Sequence, residues 1–392
     1  MKFKYFMARQ FDDGLFVIRN KEVPVSFQLC FLTVSCLAGI SVPLYKFGHK
    51  NANSNENHGG CSGFTEEHSL IDTLLLAQWE DRAAKGLLSY DVTACETKII
   101  CGRSKFIAQF IEGWNSKHSL RHVGVKDLDP SKYKMMNLNR EEVLFCVAES
   151  ENMTYELISS ATVLSKATLI IINENPIEYG HVFIIPSAVC GFHQLLDLNS
   201  LEVAARIAVH VNNCFFQIVY DSSAASTTGN YLHFEACYFA NPLPVEMVPV
   251  IPVLGDWENI ELKIFEIASY PIKGLVFKCK ENFKLMVSLV AEVCSRLQDQ
   301  DVPHKLLITD CGTKIFLFPQ GQNEAMVQGF KTGSNPSAWE CVGYFVFKTK
   351  LEFDQATEES ILKRLTAASL NNENFQALKQ LCCFLASKML LA

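Results

Sequence analysis

Residues 231–239 read YLHFEACYF. The run is rich in aromatic and apolar residues and has the length of a strand. Side chains alternate faces along a strand, so Tyr231, His233, Glu235 and Cys237 share one face and Leu232, Phe234, Ala236 and Tyr238 the other. The second face suits a packed core. The first carries an imidazole and a carboxylate two residues apart, which is polar enough to line a cleft.

Upstream lies a loop of small and hydroxylated residues, SSAASTTGN at 222–230, preceded by a strand-like run at 216–221. Before that, residues 199–211 carry Leu201, Ala204, Ala208 and Val211 at helical spacing. Two further apolar runs, ATLIIIN at 167–173 and HVFIIP at 181–186, flank a turn marked by Pro176 and Gly180. The order is echoed in the last third. Residues 283–297 form an amphipathic helix with Phe283, Met286, Val290, Val293 and Leu297 on its buried stripe. Strands at 305–309 and 315–318 follow, joined by an Asp310–Cys311–Gly312 turn. Helix, strand, loop, strand thus occurs twice, and only the first copy has a histidine in its last strand. This predicts an α+β protein of two related halves. The predicted division is an N-terminal extension over 1–65, a chemically competent half over 66–250 and a second half without the nucleophile over 251–392.

Composition narrows the function. The 392 residues are 49% hydrophobic and 20% charged, the balance of a folded protein with a large core. A formal charge of −7 argues against nucleic acid as a partner, because phosphate-backbone binding needs a basic surface. The fifteen cysteines show no C-x-x-C pair and no regular spacing, which excludes a zinc ribbon or a secreted disulfide framework. Reduced thiols place the chain in the cytosol or nucleus. Residues 23–45 are largely apolar but contain Pro24, Gln28 and Pro43, and lie too far along the chain for an ordinary signal peptide. A core strand or an extension is the favoured reading over a membrane span. Residues 50–66 are polar and glycine-rich, as in a loop; Leu70 to Ala84 has helical spacing; residues 115–142 are irregular.

Six segments, taken in order, carry a family resemblance: 74–100 (LLLAQWEDRAAKGLLSYDVTACETKII), 175–186 (NPIEYGHVFIIP), 230–246 (NYLHFEACYFANPLPVE), 269–277 (SYPIKGLVF), 306–320 (LLITDCGTKIFLFPQ) and 335–348 (NPSAWECVGYFVFK). From about residue 70 to the C-terminus the chain resembles the GDP-L-galactose phosphorylases, a branch of the histidine-triad superfamily. The resemblance implies a histidine-triad-like fold, each half an antiparallel sheet with packed helices. It also implies phosphorolysis of GDP-L-galactose to L-galactose 1-phosphate and GDP, a step toward ascorbate, through a guanylyl-histidine intermediate. The implied partners are a GDP-hexose and inorganic phosphate, with no cofactor and no metal; a homodimer is left open.

The family's triad region reads His-x-His-x-Gln, with the middle histidine as nucleophile. The matching positions here are Tyr231, His233 and Glu235, so the resemblance makes His233 the nucleophile. It places Thr228 and Asn230 among phosphate-loop donors, Asp221 where the family has asparagine, and His181 at a recurrent histidine before an apolar strand. Read without the family, His181 is equally a hydrogen-bonded turn anchor. Asp91, Cys95 and Glu96 suit a sheet edge, with no histidine near Cys95 in sequence to make it a nucleophile. The departures gather at one site. Tyr231 and Glu235 replace histidine and glutamine, Ala224 replaces a loop glycine, Trp114 replaces an arginine in a run reading FIEGW at 110–114, and Asn137 replaces a lysine. Lost cations and added carboxylates around a polyphosphate keep a second reading in play: a catalytically impaired paralogue that binds guanine nucleotide or a protein partner. A membrane-associated scaffold would rest on residues 23–45 alone.

Overall fold

The computed structural model describes residues 4–10, 16–22, 41–48, 69–114, 139–150, 152, 154–163, 166–186, 195–222, 232–253, 262–279, 282–321 and 335–391. Tyr231, Thr228, Asn230, Ala224 and Asn137 lie outside the described residues. So do the loop expected at 50–66, most of the irregular stretch at 115–142, and residues 23–40 of the apolar run.

Strands β1 (Lys4–Gln10) and β2 (Phe16–Glu22) pair antiparallel as a hairpin of their own. The apolar run ends in β3 (Ser41–Phe47), a core strand with Leu44, Tyr45 and Phe47 buried. Among the described residues no helix is long and apolar enough to cross a membrane.

Helix α1 (Leu70–Ala84) is capped by Ser69, whose hydroxyl accepts the Asp72 amide. Strands β4 (Glu96–Ile99) and β5 (Ile107–Phe110) precede β6 (Val143–Glu149), β7 (Glu156–Thr162), β8 (Thr168–Ile172) and β9 (Tyr179–Ile185). Helix α2 (Leu198–Val211) starts at an Asp197 cap and stops at Asn212, whose left-handed φ of 49° is a conformation asparagine tolerates. Strands β10 (Phe216–Asp221), β11 (Phe234–Tyr238), β12 (Val250–Pro252), β13 (Leu262–Ile267) and β14 (Leu275–Cys279) follow. Helix α3 (Phe283–Asp299), capped by Asn282, leads to β15 (His304–Thr309) and β16 (Lys314–Pro319). The chain closes with α4 (Ala338–Cys341), β17 (Tyr344–Phe347), α5 (Lys350–Gln355), α6 (Glu358–Ala368) and α7 (Asn372–Leu391).

Twelve strands form one sheet in the order β12-β13-β14-β16-β15-β10-β11-β9-β8-β6-β3-β7, antiparallel throughout except for β3 beside β6. The repeat expected from sequence is visible in this order. Four strands run β8-β9-β11-β10 and four run β13-β14-β16-β15, and the two sets meet where Ile218 pairs with Ile308 and Asp221 with Lys305. Each set has its helix, α2 or α3, between its second and third strands in sequence. The fold is α+β, as expected.

One face of the sheet packs against the helices, burying Phe234, Ala236, Ile218, Leu306 and the stripe of α3 from Met286 to Leu297. Phe283, expected on that stripe, is only partly buried. Each large apolar side chain removed from water contributes roughly 1.5–3 kcal/mol, so this layer dominates the favourable side of folding. A turn through Asp310, Cys311 and Gly312, all at positive φ, brings the backbone against α2; a Cβ on Gly312 would sit 2.8 Å from the Ala205 carbonyl oxygen. The opposite face is covered at its centre by α4 and by a three-stranded sheet, β17-β5-β4. Cys237, expected to line a cleft on that face, is therefore fully buried, while His233 and Glu235 are only half-buried.

Candidate functional site

The site lies where β10 ends and β11 begins. The β10–β11 ladder ends at the pairing of Tyr220 with Phe234, so Asp221 is the last residue of β10 and His233 the residue just before β11. On the far side of Asp221, Lys305 is its register partner on β15. The His233 ring meets the Phe183 ring edge-on at a centroid separation of 5.6 Å. Two residues further, Glu235 sits between Phe183 of β9 and Val219 of β10.

The Glu235 carboxylate is held from two directions. The indole N–H of Trp339 on α4 donates to Oε2 at 2.7 Å, and Nε2 of His181 lies 3.4 Å from the same oxygen. His181 Nδ1 accepts the Ile177 amide at 3.1 Å, so the ring proton sits on Nε2 and faces Glu235. The Asn173 amide lies 3.3 Å from both ring nitrogens. His181 is fully buried, and both its nitrogens are engaged within the protein. It meets the site through Glu235. Burial alone pushes the Glu235 carboxyl up. The hydrogen bond from His181, the nearby His181 and His233 imidazoles and the Trp339 indole outweigh it and hold the group below the usual carboxylate range. Its side chain keeps 28% of its surface exposed.

Asp221 is engaged differently. One oxygen pairs with the Lys305 ammonium, whose side chain is 1% exposed, and the other accepts the Ala338 amide at 3.2 Å. Ala338 is the first residue of α4, so the carboxylate sits on the positive end of that turn. Behind Lys305 the His304 ring is buried, and burial lowers its pKa to about 4. His304 also donates its backbone N–H to the Ser222 hydroxyl at 2.8 Å, tying the seam to the start of the 222–230 loop.

Of the residues singled out from sequence, the structure brings together His233, Glu235, His181 and Asp221. Cys95 stands apart; burial, Asp91 and Glu178 all raise its thiol pKa, leaving it protonated. Asp91 caps the short turn at Val92–Ala94. Glu96 pairs with Lys350 at 2.7 Å on the edge strand β4. Among the described residues no group of three or more histidine, cysteine or acidic side chains is arranged to hold a metal ion. Sequence reasoning missed Trp339 and Lys305. The Ser337–Glu340 capping box, an S-x-x-E pattern, could have marked the start of α4; nothing local marks Lys305.

Comparison with known proteins places this geometry in a family. The family model for the N-terminal domain of GDPGP1-like proteins matches residues 70–237, and that for the C-terminal domain matches residues 244–389. The chain belongs to the GDPGP1-like family. GDP-L-galactose phosphorylase 1 of Arabidopsis thaliana is 34% identical over 385 residues, covering 94% of this chain and 84% of that protein. GDP-D-glucose phosphorylase 1 of Homo sapiens is 24% identical, covering 74% of this chain and 77% of that protein. Among solved structures, yeast Ap4A phosphorylase Apa2 in complex with Ap4A superposes with a TM-score of 0.51 at 15% identity. That match covers 77% of this chain and 98% of the yeast chain, and it speaks for the fold alone. Within this GDPGP1-like chain the boundary between the two family domains falls just after β11, so His233 and Glu235 belong to the first domain and Trp339 to the second.

Proposed function

We propose that this chain is a GDP-hexose phosphorylase, a nucleotidyltransferase that moves a guanylyl group from a GDP-hexose to inorganic phosphate through His233. The observation that carries the reading is the half-buried His233 imidazole just before β11, edge-on to Phe183, with Asp221 ending the paired strand β10 and Glu235 two residues on. The imidazole attacks the α-phosphorus and expels the hexose 1-phosphate. Phosphate then attacks the guanylyl-imidazole, releases GDP and restores His233. Splitting one displacement into two lets the same nitrogen serve first as nucleophile and then as leaving group.

GDP-L-galactose is the favoured substrate, giving L-galactose 1-phosphate and a place in ascorbate formation; the 34% identity to a GDP-L-galactose phosphorylase supports this over GDP-D-glucose. Residues 66–250 form the half that carries the chemistry and residues 251–392 the half that lacks the nucleophile. Thr228 and Asn230, phosphate-loop donors on the family pattern, and Tyr231, in the slot of the first triad histidine, complete the proposed set of site residues. The cytosol, with the nucleus, is the proposed location, in keeping with eleven free cysteines among the described residues.

With GDP-L-galactose labelled at the α-phosphorus, the full chain should form an acid-labile protein adduct that is absent from His233→Ala. Absence of both the adduct and hexose 1-phosphate release from the unaltered chain would overturn the reading. One observation favours the alternative of an impaired paralogue that binds guanine nucleotide, or a protein partner, in a regulatory role. The Glu235 carboxylate, held by histidine and an indole and not by lysine or arginine among the described residues, lies two residues from the imidazole, and at ~5 Å and an effective dielectric of ~20 unit like charges repel by roughly 3 kcal/mol. On that alternative GDP binds with neither adduct nor turnover.

A further inference from the structure

We propose that Glu235 acts as a general base for water, so that the guanylyl-histidine is resolved largely by hydrolysis, giving GMP in place of GDP. The proposal rests on the phosphorylase reading for the first half of the reaction and departs from it in the second.

Three observations carry it. Glu235 lies on the same strand face as His233, two residues along, so its carboxylate stands near any phosphoryl group attached to that ring. Its orientation is fixed through one oxygen. Oε2 takes the Trp339 indole proton at 2.7 Å and faces the proton-bearing nitrogen of His181 at 3.4 Å, whereas Oε1 takes no hydrogen bond from the described residues. The side chain keeps 28% of its surface open. Finally, the two carboxylates of the site differ. The Asp221 charge is matched by the buried Lys305 ammonium, while Glu235 has histidines and a neutral indole around it and no lysine or arginine among its partners.

A fixed carboxylate in this position discriminates between acceptors. Inorganic phosphate approaches as an anion and is repelled; water is neutral and carries a proton that the carboxylate can take. The glutamine that the family pattern places here can do neither. In the step itself the water oxygen attacks the guanylyl phosphorus while a proton passes from that water to Glu235 Oε1. The phosphorus–nitrogen bond breaks, and its electron pair returns to the His233 ring. GMP leaves, and Glu235 gives its proton to solvent. Together with the first step the balance is GDP-hexose plus water giving GMP plus hexose 1-phosphate.

The test is a product ratio, which does not depend on how much of a variant is folded. The full chain is incubated with GDP-L-galactose in water enriched in oxygen-18, with inorganic phosphate absent or at millimolar concentration, and GMP and GDP are separated. The expected result is turnover without added phosphate, GMP carrying one heavy oxygen, and GMP in excess over GDP when phosphate is present. Glu235→Gln should move the GMP-to-GDP ratio toward GDP by about a hundred-fold, the loss of a general base. Trp339→Phe provides a second variant: it frees the carboxylate from its anchor and should move the ratio in the same direction by a smaller factor. Formation of GDP alone by the unaltered chain, with no turnover when phosphate is omitted, would overturn the proposal and leave the phosphorylase reading standing. So would an unchanged ratio in Glu235→Gln. If neither hexose 1-phosphate nor an adduct forms, the phosphorylase reading falls and takes this proposal with it.

Discussion

Asp221→Asn is the substitution whose cost the structure sets out most fully. It restores the residue that the family pattern has, and it removes the carboxylate that pairs with the buried Lys305 ammonium. The Lys305 side chain is 1% exposed, so its ammonium cannot recover hydration when its partner loses charge. Removing one member of a buried pair costs about 3–5 kcal/mol, because what remains is an uncompensated buried charge. Against a total stability of roughly 5–15 kcal/mol that is a large fraction. The reciprocal change, Lys305→Met, should cost less, about 1–3 kcal/mol. Asp221 is 17% exposed and keeps the Ala338 amide as a donor at 3.2 Å. The double variant Asp221→Asn with Lys305→Met has no unpaired ion, and its loss should fall well short of the sum of the two. Equilibrium urea unfolding of the four proteins, followed by tryptophan fluorescence, measures the cycle. If Asp221→Asn lies within about 0.5 kcal/mol of the unaltered chain, or if the two losses simply add, the pair is not the desolvated ion pair described here.

Acid should weaken the fold through His304 and His210, both held near pKa 4 by burial against an ordinary value of 6.5. Their contribution is complete above the unfolded value and is lost as pH falls from 6.5 toward 4, because the unfolded chain binds protons the folded one refuses. The loss is up to about 3 kcal/mol for His304 and less for the partly exposed His210; urea midpoints at pH 7, 6 and 5 test it, and a flat profile refutes it. Trp339→Phe keeps the ring packing on Phe239 but removes the N–H donated to Glu235, so kcat should fall about ten-fold with KM nearly unchanged, in line with the 1.5–3 kcal/mol of a hydrogen bond to a charged group. Gly180→Ala would place a Cβ 2.6 Å from the Tyr238 ring at a φ of +68°, and Tyr238 is tied to the buried Asp72 at 2.8 Å. A loss of about 1–3 kcal/mol should appear in thermal melts.

Much of this architecture is written locally. The period-two alternation at 231–239 separates the packed residues Phe234 and Ala236 from the half-buried His233 and Glu235, and the helical spacing at 70–84 and 283–297 places α1 and α3 within two residues at each end. Alternation reports which face a residue is on and says nothing of what covers that face. Cys237 shares the face of His233 yet is buried, because α4, a hundred residues later, lies over it. The partners that define the site are equally remote. Trp339 is 104 positions from Glu235 and Lys305 is 84 from Asp221, separations at which no periodicity carries information. The carboxylate at 235 therefore looks, from sequence, like a charge set against the substrate. In the structure it is an anchored group with one oxygen committed to the protein.

On the proposed reaction, that anchoring gives the second half of the chain a part in the chemistry of the first. Consecutive residues of α4 reach two different strands of the first half: the Ala338 amide holds Asp221 at the end of β10, and the Trp339 indole holds Glu235 in β11. The turn that presents them is itself fixed, by the Ser337–Glu340 capping box and by Arg364, which donates to Glu340 at 2.8 Å. Its hold on both carboxylates depends on the β10–β15 seam staying closed, because Lys305, which completes the Asp221 pair, is contributed from the far side of that seam. A perturbation anywhere along Ser337–Glu340–Arg364 should therefore be felt at His233 as a change in the orientation of Glu235. Arg364→Ala is the mildest such change, as its side chain lies more than twenty residues past α4 and on a different helix. If its GMP-to-GDP ratio moved in step with that of Trp339→Phe, the two halves would work as a single positioning frame. If the ratio stayed fixed while stability fell, α4 would be a packing element, and the orientation of Glu235 would be set by His181 alone.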